Sequence, residues 1–241
     1  MTSDKDELGG IALWRRIADA IRLDIIGGKL TNGDRLPTEA ILSERFSANR
    51  HTVRRALAVL ADEGVVAAEQ GRGTFVRSAR RLSYPIGKRT RFSEGLAGQA
   101  GTLGTQLLGH RIENANATIA KALKLKTGDK VVRIDGVSSA DGRPLSRATT
   151  WLPYRRFPDF AERITQLQRF TAVFASYDIA DYARASTRIS ARHADVEETK
   201  LLGLAPGAIL LVSEAVDIDA TGEPVSYALS RFPAERLELV V

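Results

Sequence analysis

Arg50, His51, Thr52 and Arg54 fall within five consecutive residues, and this cluster is the strongest chemical signal in the chain. Val53, Ala56, Leu57 and Leu60 recur at the spacing of a core-facing helix. Arg50, His51 and Arg54 therefore begin the opposite side, and Arg50 and Arg54, four residues apart, project from one face about a turn from each other. A guanidinium fork can donate to both O6 and N7 of guanine, a contact worth roughly 1–3 kcal/mol of discrimination between bases. A helix that lays its N-terminal side chains in the major groove delivers such contacts. Thr52, with the free N–H groups and dipole of the helix start, can hold a phosphate. Further on, Arg72 lies between Gly71 and Gly73, where the backbone can approach the adjacent minor groove or phosphates closely.

These residues need a scaffold, and the flanking sequence supplies one. Ile11, Trp14, Ile17, Ala18, Ile21 and Ile25 mark a first helix over 11–27, ended by Gly27-Gly28. Thr38 follows Pro37 and is expected to cap a short second helix that buries Ile41, Leu42 and Phe46. Asn49 is expected to cap the third, running from Arg50 to about Glu63, with Gly64 closing it. Val65-Val66 and Thr74-Phe75-Val76, joined through Gln70-Gly71-Arg72-Gly73, read as a β-hairpin. Three helices and a hairpin within residues 1–77 describe a winged helix-turn-helix. Residues 78–90, with Pro85 and Gly87, read as a linker, and 91–241 as a second domain.

Composition narrows the possibilities. The 241 residues carry 44% hydrophobic and 27% charged side chains, as soluble globular proteins do. No apolar run approaches the roughly 20 residues of a membrane span, and MTSDKDELGG does not resemble a secretory signal. Cysteine is absent, which removes disulfides, thiol nucleophiles and cysteine-based metal sites and makes the cytoplasm the expected compartment. His51, His110 and His193 have no metal-binding spacing, so no metal is expected. Nucleotide-binding and hydrolase fingerprints are missing, so no cofactor is expected either. The net charge of +6 gathers locally: Arg45, Arg50, Arg54 and Arg55 lie in one acid-free run, and Arg77, Arg80, Arg81, Lys88, Arg89 and Arg91 in another.

The motifs LPTE (36–39), R-x-T-V-R (50–54), L-x-x-E-G (60–64) and GRGTFV (71–76) occur in order, and the stretch 11–77 resembles the winged helix of the GntR family of bacterial regulators. The resemblance implies a protein that binds operator double-stranded DNA through Arg50, His51, Thr52, Arg54 and Gly71, with Arg72 at the wing. Two positions depart from the family pattern. Ala40 stands where many members carry a DNA-contacting arginine, and Asn49 replaces a commoner serine or threonine.

The second domain contains an internal repeat. Leu123, Leu125, Gly128 and Val137 recur 79 residues later as Leu202, Leu204, Gly207 and Val216. After a one-residue insertion, Gly142, Pro144, Ser146, Ala148 and Pro153 recur as Gly222, Pro224, Ser226, Ala228 and Pro233. Each copy reads as helix end, turn, strand, tight turn and return strand. The expected fold is therefore α+β, with a pseudo-twofold antiparallel sheet. Further strands are expected at 106–112, 187–192 and near 237–241, and Asp195 with Glu198 forms a capping box.

This region resembles the UTRA effector domain of the HutC subfamily, whose fold is like that of chorismate lyase. The stretches 90–96 and 186–202 are most similar to phosphonate-metabolism regulators of the PhnF type. The resemblance places Phe92 and Ser93 where related sensors hold a phosphate group. Ser93, preceding a helix expected to run to Ala97, could cradle an anion. Arg188 and Arg192 share a strand face with Ser190, and Arg147 and Tyr227, matched in the two copies, are expected on paired inward strands with Arg231 beyond. Guanidinium groups there could bind a phosphonate or phosphate ester in bidentate fashion. Related sugar-phosphate sensors carry arginines where Gly136 and Ser138 stand here. The expectation is a homodimeric, non-enzymatic repressor without membrane attachment, controlled by a small anionic effector. Its rivals are a lyase-like enzyme with an added DNA-binding domain, and a regulator responding to a sugar phosphate or amino-acid catabolite.

Overall fold

A computed structural model describes residues 12–76, 81–89 and 92–241, apart from the side chains of Ile26 and Ser93. Expectations resting on Ile11, Arg77, Arg80, Thr90 and Arg91 lie outside the described residues. The chain divides into two compact units, 1–80 and 81–241.

In the first unit, α1 (Leu13–Ile26), α2 (Glu39–Arg45) and α3 (Arg50–Asp62) precede a hairpin of β1 (Val66–Glu69) and β2 (Gly73–Val76). The core is Ile17, Ala18 and Ile21 from α1, Leu42 from α2, and Val53, Ala56 and Leu60 from α3, closed by Val66 and Val76. Both expected caps form: Thr38 Oγ1 accepts from the Ile41 N–H at 3.4 Å, and Asn49 Oδ1 from the Thr52 N–H at 2.8 Å. Ile41 is a correction. It is 53% exposed, because Leu42 and not Ile41 is directed at α1 and α3. Arg22 clamps the buried Glu63 through both carboxylate oxygens, tying α1 to the end of α3.

The second unit comprises β3 (Leu82–Pro85), α4 (Phe92–Gly95), β4 (Leu103–Asn114), α5 (Ala117–Ala122), β5 (Lys130–Ala140), β6 (Arg143–Pro153), α6 (Phe160–Leu167), α7 (Phe170–Ala175), β7 (Tyr182–His193), α8 (Val196–Leu202), β8 (Ile209–Asp219), β9 (Pro224–Pro233) and β10 (Leu237–Val240). Its six-stranded antiparallel sheet has the order β4-β5-β6-β9-β8-β7, so strand-helix-strand-strand occurs twice and meets itself at the centre. Thr149 and Leu229, corresponding positions of the two copies, are direct cross-strand partners, and the local twofold passes between them. Part of the expected linker is a strand instead: β3 pairs in parallel with β10, because Leu82 and Tyr84 find an apolar place beside Leu237 and Phe232.

One sheet face carries α5 and α8. There α5 packs Ile119, Ala120 and Leu123 on Val131, Trp151 and Tyr227, and α8 packs Leu202 on Leu210 and Val212. On the other face, α6 and α7 bury Phe160, Ile164, Val173 and Phe174 against Val132, Ile134 and Leu152.

The two halves differ where their helices begin. In the second, the Asp195–Glu198 capping box forms, and Glu198, 1% exposed, receives Arg192 at 2.6 and 2.7 Å, with the Arg231 guanidinium 3.3 Å away. Burial pushes the Glu198 carboxyl up, but the Arg192 hydrogen bonds, the Asp195 N–H and both guanidinium charges outweigh it and hold it below its ordinary value. Removing one member of a buried ionic group strands the others. Glu198→Ala is expected to destabilise the unit by about 3–5 kcal/mol in chemical denaturation. Because this carboxyl's folded pKa is depressed, its stabilisation is fully present above the unfolded value of roughly 4.3 and is lost as pH falls through the folded value. The wild type should therefore lose stability between about pH 5 and pH 3 more steeply than Glu198→Ala; parallel pH profiles would contradict this origin.

Candidate functional site

The phase of α3 is set by Val53, Ala56 and Leu60, each fully buried, so Arg50, His51 and Arg54 are left exposed. Arg50 has no ion pair among the described residues. Arg54 does: its Nε lies 2.9 Å from each carboxylate oxygen of Glu39, which opens α2. The Glu39 hydrogen bonds, then its charge, raise the Arg54 pKa. Held by Nε, the guanidinium keeps its two terminal nitrogens for an acceptor beyond the surface. Glu39 was legible only as part of the LPTE motif; its role as the support of Arg54 is a feature of the fold. The Thr52 N–H is occupied by Asn49 Oδ1, which also accepts from Thr52 Oγ1 at 2.9 Å. A phosphate at this helix start would meet the neighbouring N–H groups first.

The other arginines of the basic run serve the head's own structure. Arg45 reaches Asp24 at 2.8 Å and lies over the Phe46 ring, and Arg55 lies over the Trp14 ring, 4.8 Å from its centroid. The wing keeps its expected shape. Gly71 and Gly73 have φ of +73° and +117°, and a Cβ on Gly73 would meet Arg35 Nε at 2.7 Å. Arg72 at the tip is 74% exposed in its side chain, paired with Glu69 and lying over Phe75. Residues 33–36 run beside β2, with Leu36 N–H donating to Thr74 O and Val76 N–H to Asp34 O, so the hairpin is braced.

In the second unit the expected effector residues fall on opposite faces of the sheet. Arg147, Arg188, Tyr227 and Arg231 share the α5/α8 face. Arg147 and Tyr227 stand on paired strands as expected. The register, which the sequence left open, sets Arg147 opposite Arg231 and Tyr227 opposite Trp151, because antiparallel pairing about the Thr149–Leu229 centre joins residues equally far from it on opposite sides. Tyr227 is a packing residue: its ring is buried against Trp151, and its hydroxyl donates to Glu214 at 2.8 Å. Burial, then that carboxylate, push its pKa up to about 12. Arg188 is exposed beside Glu214 on the neighbouring strand.

Phe92 lies elsewhere. Its ring stacks on Phe232, 6.1 Å between centroids, and meets Tyr84 at 5.5 Å. The helix expected after Ser93 and running to Ala97 is instead a single turn, α4, from Phe92 to Gly95, with Ser93 inside it. Beside this aromatic group the sheet presents a row of direct cross-strand partners, Gly136, Ala148, Ser230 and Ser213. Gly136, Ala148 and Ser230 stay half-buried although clusters on either side are closed. Tyr84 and Arg184 border the row. Burial raises the Tyr84 pKa, and the Arg184 charge and hydrogen bond oppose it; Arg184 also pairs with Asp217 at 3.5 Å. Sequence reasoning missed Tyr84, which lay in the supposed linker, and Arg184. Among the described residues no group of three His, Asp or Glu side chains could hold a metal ion.

A winged helix with an outward arginine helix, followed by a separate α+β sheet unit, defines a DNA-binding transcription regulator. Comparison with known proteins agrees. The model for bacterial regulatory proteins of the gntR family matches residues 13–76, and that for the UTRA domain matches 98–238. The chain is 49% identical to the uncharacterized HTH-type transcriptional regulator RB1450 of Rhizobium meliloti (strain 1021), covering 95% of this chain and 94% of that one. It is 31% identical to the mannosyl-D-glycerate transport/metabolism system repressor MngR of Escherichia coli (strain K12), over 68% of each. The crystal structure of PhnF from Mycobacterium smegmatis shares the fold, with a TM-score of 0.61, 24% identity, and coverage of 93% of this chain and 96% of that one. The chain belongs to the GntR family of bacterial transcriptional regulators and carries a UTRA effector domain. Such proteins bind operator DNA and are not enzymes, which sets aside the lyase-like alternative.

Glu39→Ala leaves the head folded but frees Arg54 to reorient; fluorescence anisotropy with a promoter duplex should show operator affinity about tenfold weaker. An unchanged affinity would mean that Arg54 is not held for DNA. No helix in the described residues is long and apolar enough to cross a membrane.

Proposed function

We propose that this regulator is a homodimeric repressor acting in the cytoplasm, which releases its operator when a small phosphonate or phosphate ester binds beside Phe92 and Ser93. The observation that carries the effector assignment is the cross-strand row Gly136, Ala148, Ser230 and Ser213 bordered by Tyr84, Phe92 and Arg184. Small side chains leave room above the strands for a compact ligand, aromatic rings limit its size, and Arg184 offers a guanidinium to an oxyanion. The likeness of residues 90–96 and 186–202 to PhnF-type regulators supports the phosphonate class, and Gly136 and Ser138 speak against a copy of the sugar-phosphate site.

DNA binding is assigned to Arg50, His51, Thr52 and Arg54 of α3 and to Gly71 and Arg72 of the wing. A dimer places one α3 in each half-site of a pseudo-palindromic operator. The coupling has a physical route within the second unit: Tyr84 sits on β3, the first described strand after the head, so a ligand against its ring biases the segment that continues into the head. Effector and operator affinities must then change each other by the same factor.

Two substitutions test this reading. Arg50→Ala should abolish discrimination between the native promoter duplex and a scrambled one while leaving the thermal transition in place. Ser93→Asp should keep operator affinity but remove release by methylphosphonate, through charge repulsion. Normal promoter affinity in the first variant would refute the head assignment. Undiminished release in the second would refute the effector site, and release by a sugar phosphate alone would replace the phosphonate class.

A further inference from the structure

The sheet face opposite the proposed effector site holds a second cleft, of about 430 Å³, between β4, β5, β6 and the start of α8. Arg111, Arg133 and Arg147 line it together with Asp135 and Glu197. Its deep wall is a costly arrangement. Arg147 and Arg231 are direct cross-strand partners, each with a side chain only 12% exposed, and like charges directly opposite one another repel. The Nε atoms of both have no hydrogen-bond partner among the described residues. Burial, then the charge of Arg147, lower the Arg231 pKa, as expected for two guanidinium groups crowded out of water.

The surrounding groups satisfy the two arginines unequally. Arg231 donates to Thr149 Oγ1 at 3.0 Å and lies near Glu198, and Thr149 in turn donates to Asp135, so its neighbourhood is a closed network. Arg133 is held by Asp135 at 2.8 and 3.0 Å. Among the described residues Arg147 has one hydrogen-bonded carboxylate, Glu197, at 2.9 Å, and that carboxylate is 73% exposed. Asp135 also feels the Arg147 charge but is held by Arg133 and Thr149. A guanidinium whose hydrogen-bonded carboxylate faces solvent at the cleft mouth can therefore exchange that carboxylate for another oxyanion at little cost, because Glu197 returns to water.

We infer that this cleft is a second anion site, in which the carboxylate or phosphate group of a small organic anion displaces Glu197 from Arg147 and is flanked by Arg111 and Arg133. The site is separate from the proposed effector site, since the two lie on opposite faces of one sheet. Glu197 acts as a built-in competitor that sets the affinity low in the free protein. An anion here neutralises the Arg147–Arg231 repulsion at the strand pair that joins the two halves of the sheet.

Isothermal titration of the full chain with inorganic phosphate, and separately with malonate, tests the inference in a Ser93→Asp background that disables the proposed effector site. One saturable site should remain for at least one of the two anions. Glu197→Gln, a surface change that should not disturb folding, should tighten it about tenfold, and Arg147→Gln should abolish it with circular dichroism unchanged. Absence of saturable binding even in the Glu197→Gln variant would overturn the inference, as would binding that survives Arg147→Gln. Two sites persisting in the Ser93→Asp background, one of them lost on Arg147→Gln, would uphold this cleft while refuting the effector assignment, so the two readings fail separately.

Discussion

Complete burial of Val53, Ala56 and Leu60 fixes the rotation of α3 about its axis, and the function of the head follows from that constraint. A helix has one apolar stripe. Once those three side chains are locked against α1 and α2, the direction of Arg50 and Arg54 is no longer free. The Asn49 cap fixes where the helix starts, so the two guanidinium groups occupy its first turns, where a groove-inserted helix meets base edges. Glu39 then orients Arg54, and the Arg22–Glu63 clamp holds the far end of α3 to α1. Each of these contacts costs little to make once the core has formed.

A different constraint governs the effector unit. Its two halves fold alike and join at β6 and β9, yet they fill equivalent positions with opposite chemistry. Around α5, Trp151 and Tyr227 stack and Glu113 accepts the indole N–H at 2.7 Å. Around α8, Arg192, Glu198 and Arg231 form an ionic group at the corresponding places. One half therefore contributes apolar packing and the other buried charge, and the sheet between them offers a charged face and a small-residue face. A symmetric sheet would present the same chemistry at both ends; sequence divergence between the copies makes the two ends of the α5/α8 face differ.

Much of this was legible in the chain. Helix starts at Asn49 and Asp195, glycine turns and the doubled hairpin follow from local rules that tertiary structure did not override. What escaped reading was non-local. The strand at Leu82–Pro85 is short, contains a proline, and has its partner at Leu237–Val240, so nothing nearby marks it. Repeat equivalence correctly related Arg147 to Tyr227 but gave no register, and pairing about a twofold sets Arg147 against Arg231 instead. The basic run at 45–55 overstated the DNA surface, because Arg45 and Arg55 turn back onto Asp24 and Trp14. Charge is visible in a sequence; the carboxylate or ring that claims it is not.

Methylation interference on the native promoter probes the geometry of α3 without altering the protein. Guanines methylated at N7 lose the acceptor that a guanidinium fork requires in the major groove. Two short clusters of interfering guanines, symmetric and about one helical turn or a multiple of it apart, are the result predicted for a pair of α3 helices. Strong promoter binding with no interference at any guanine N7 would contradict it.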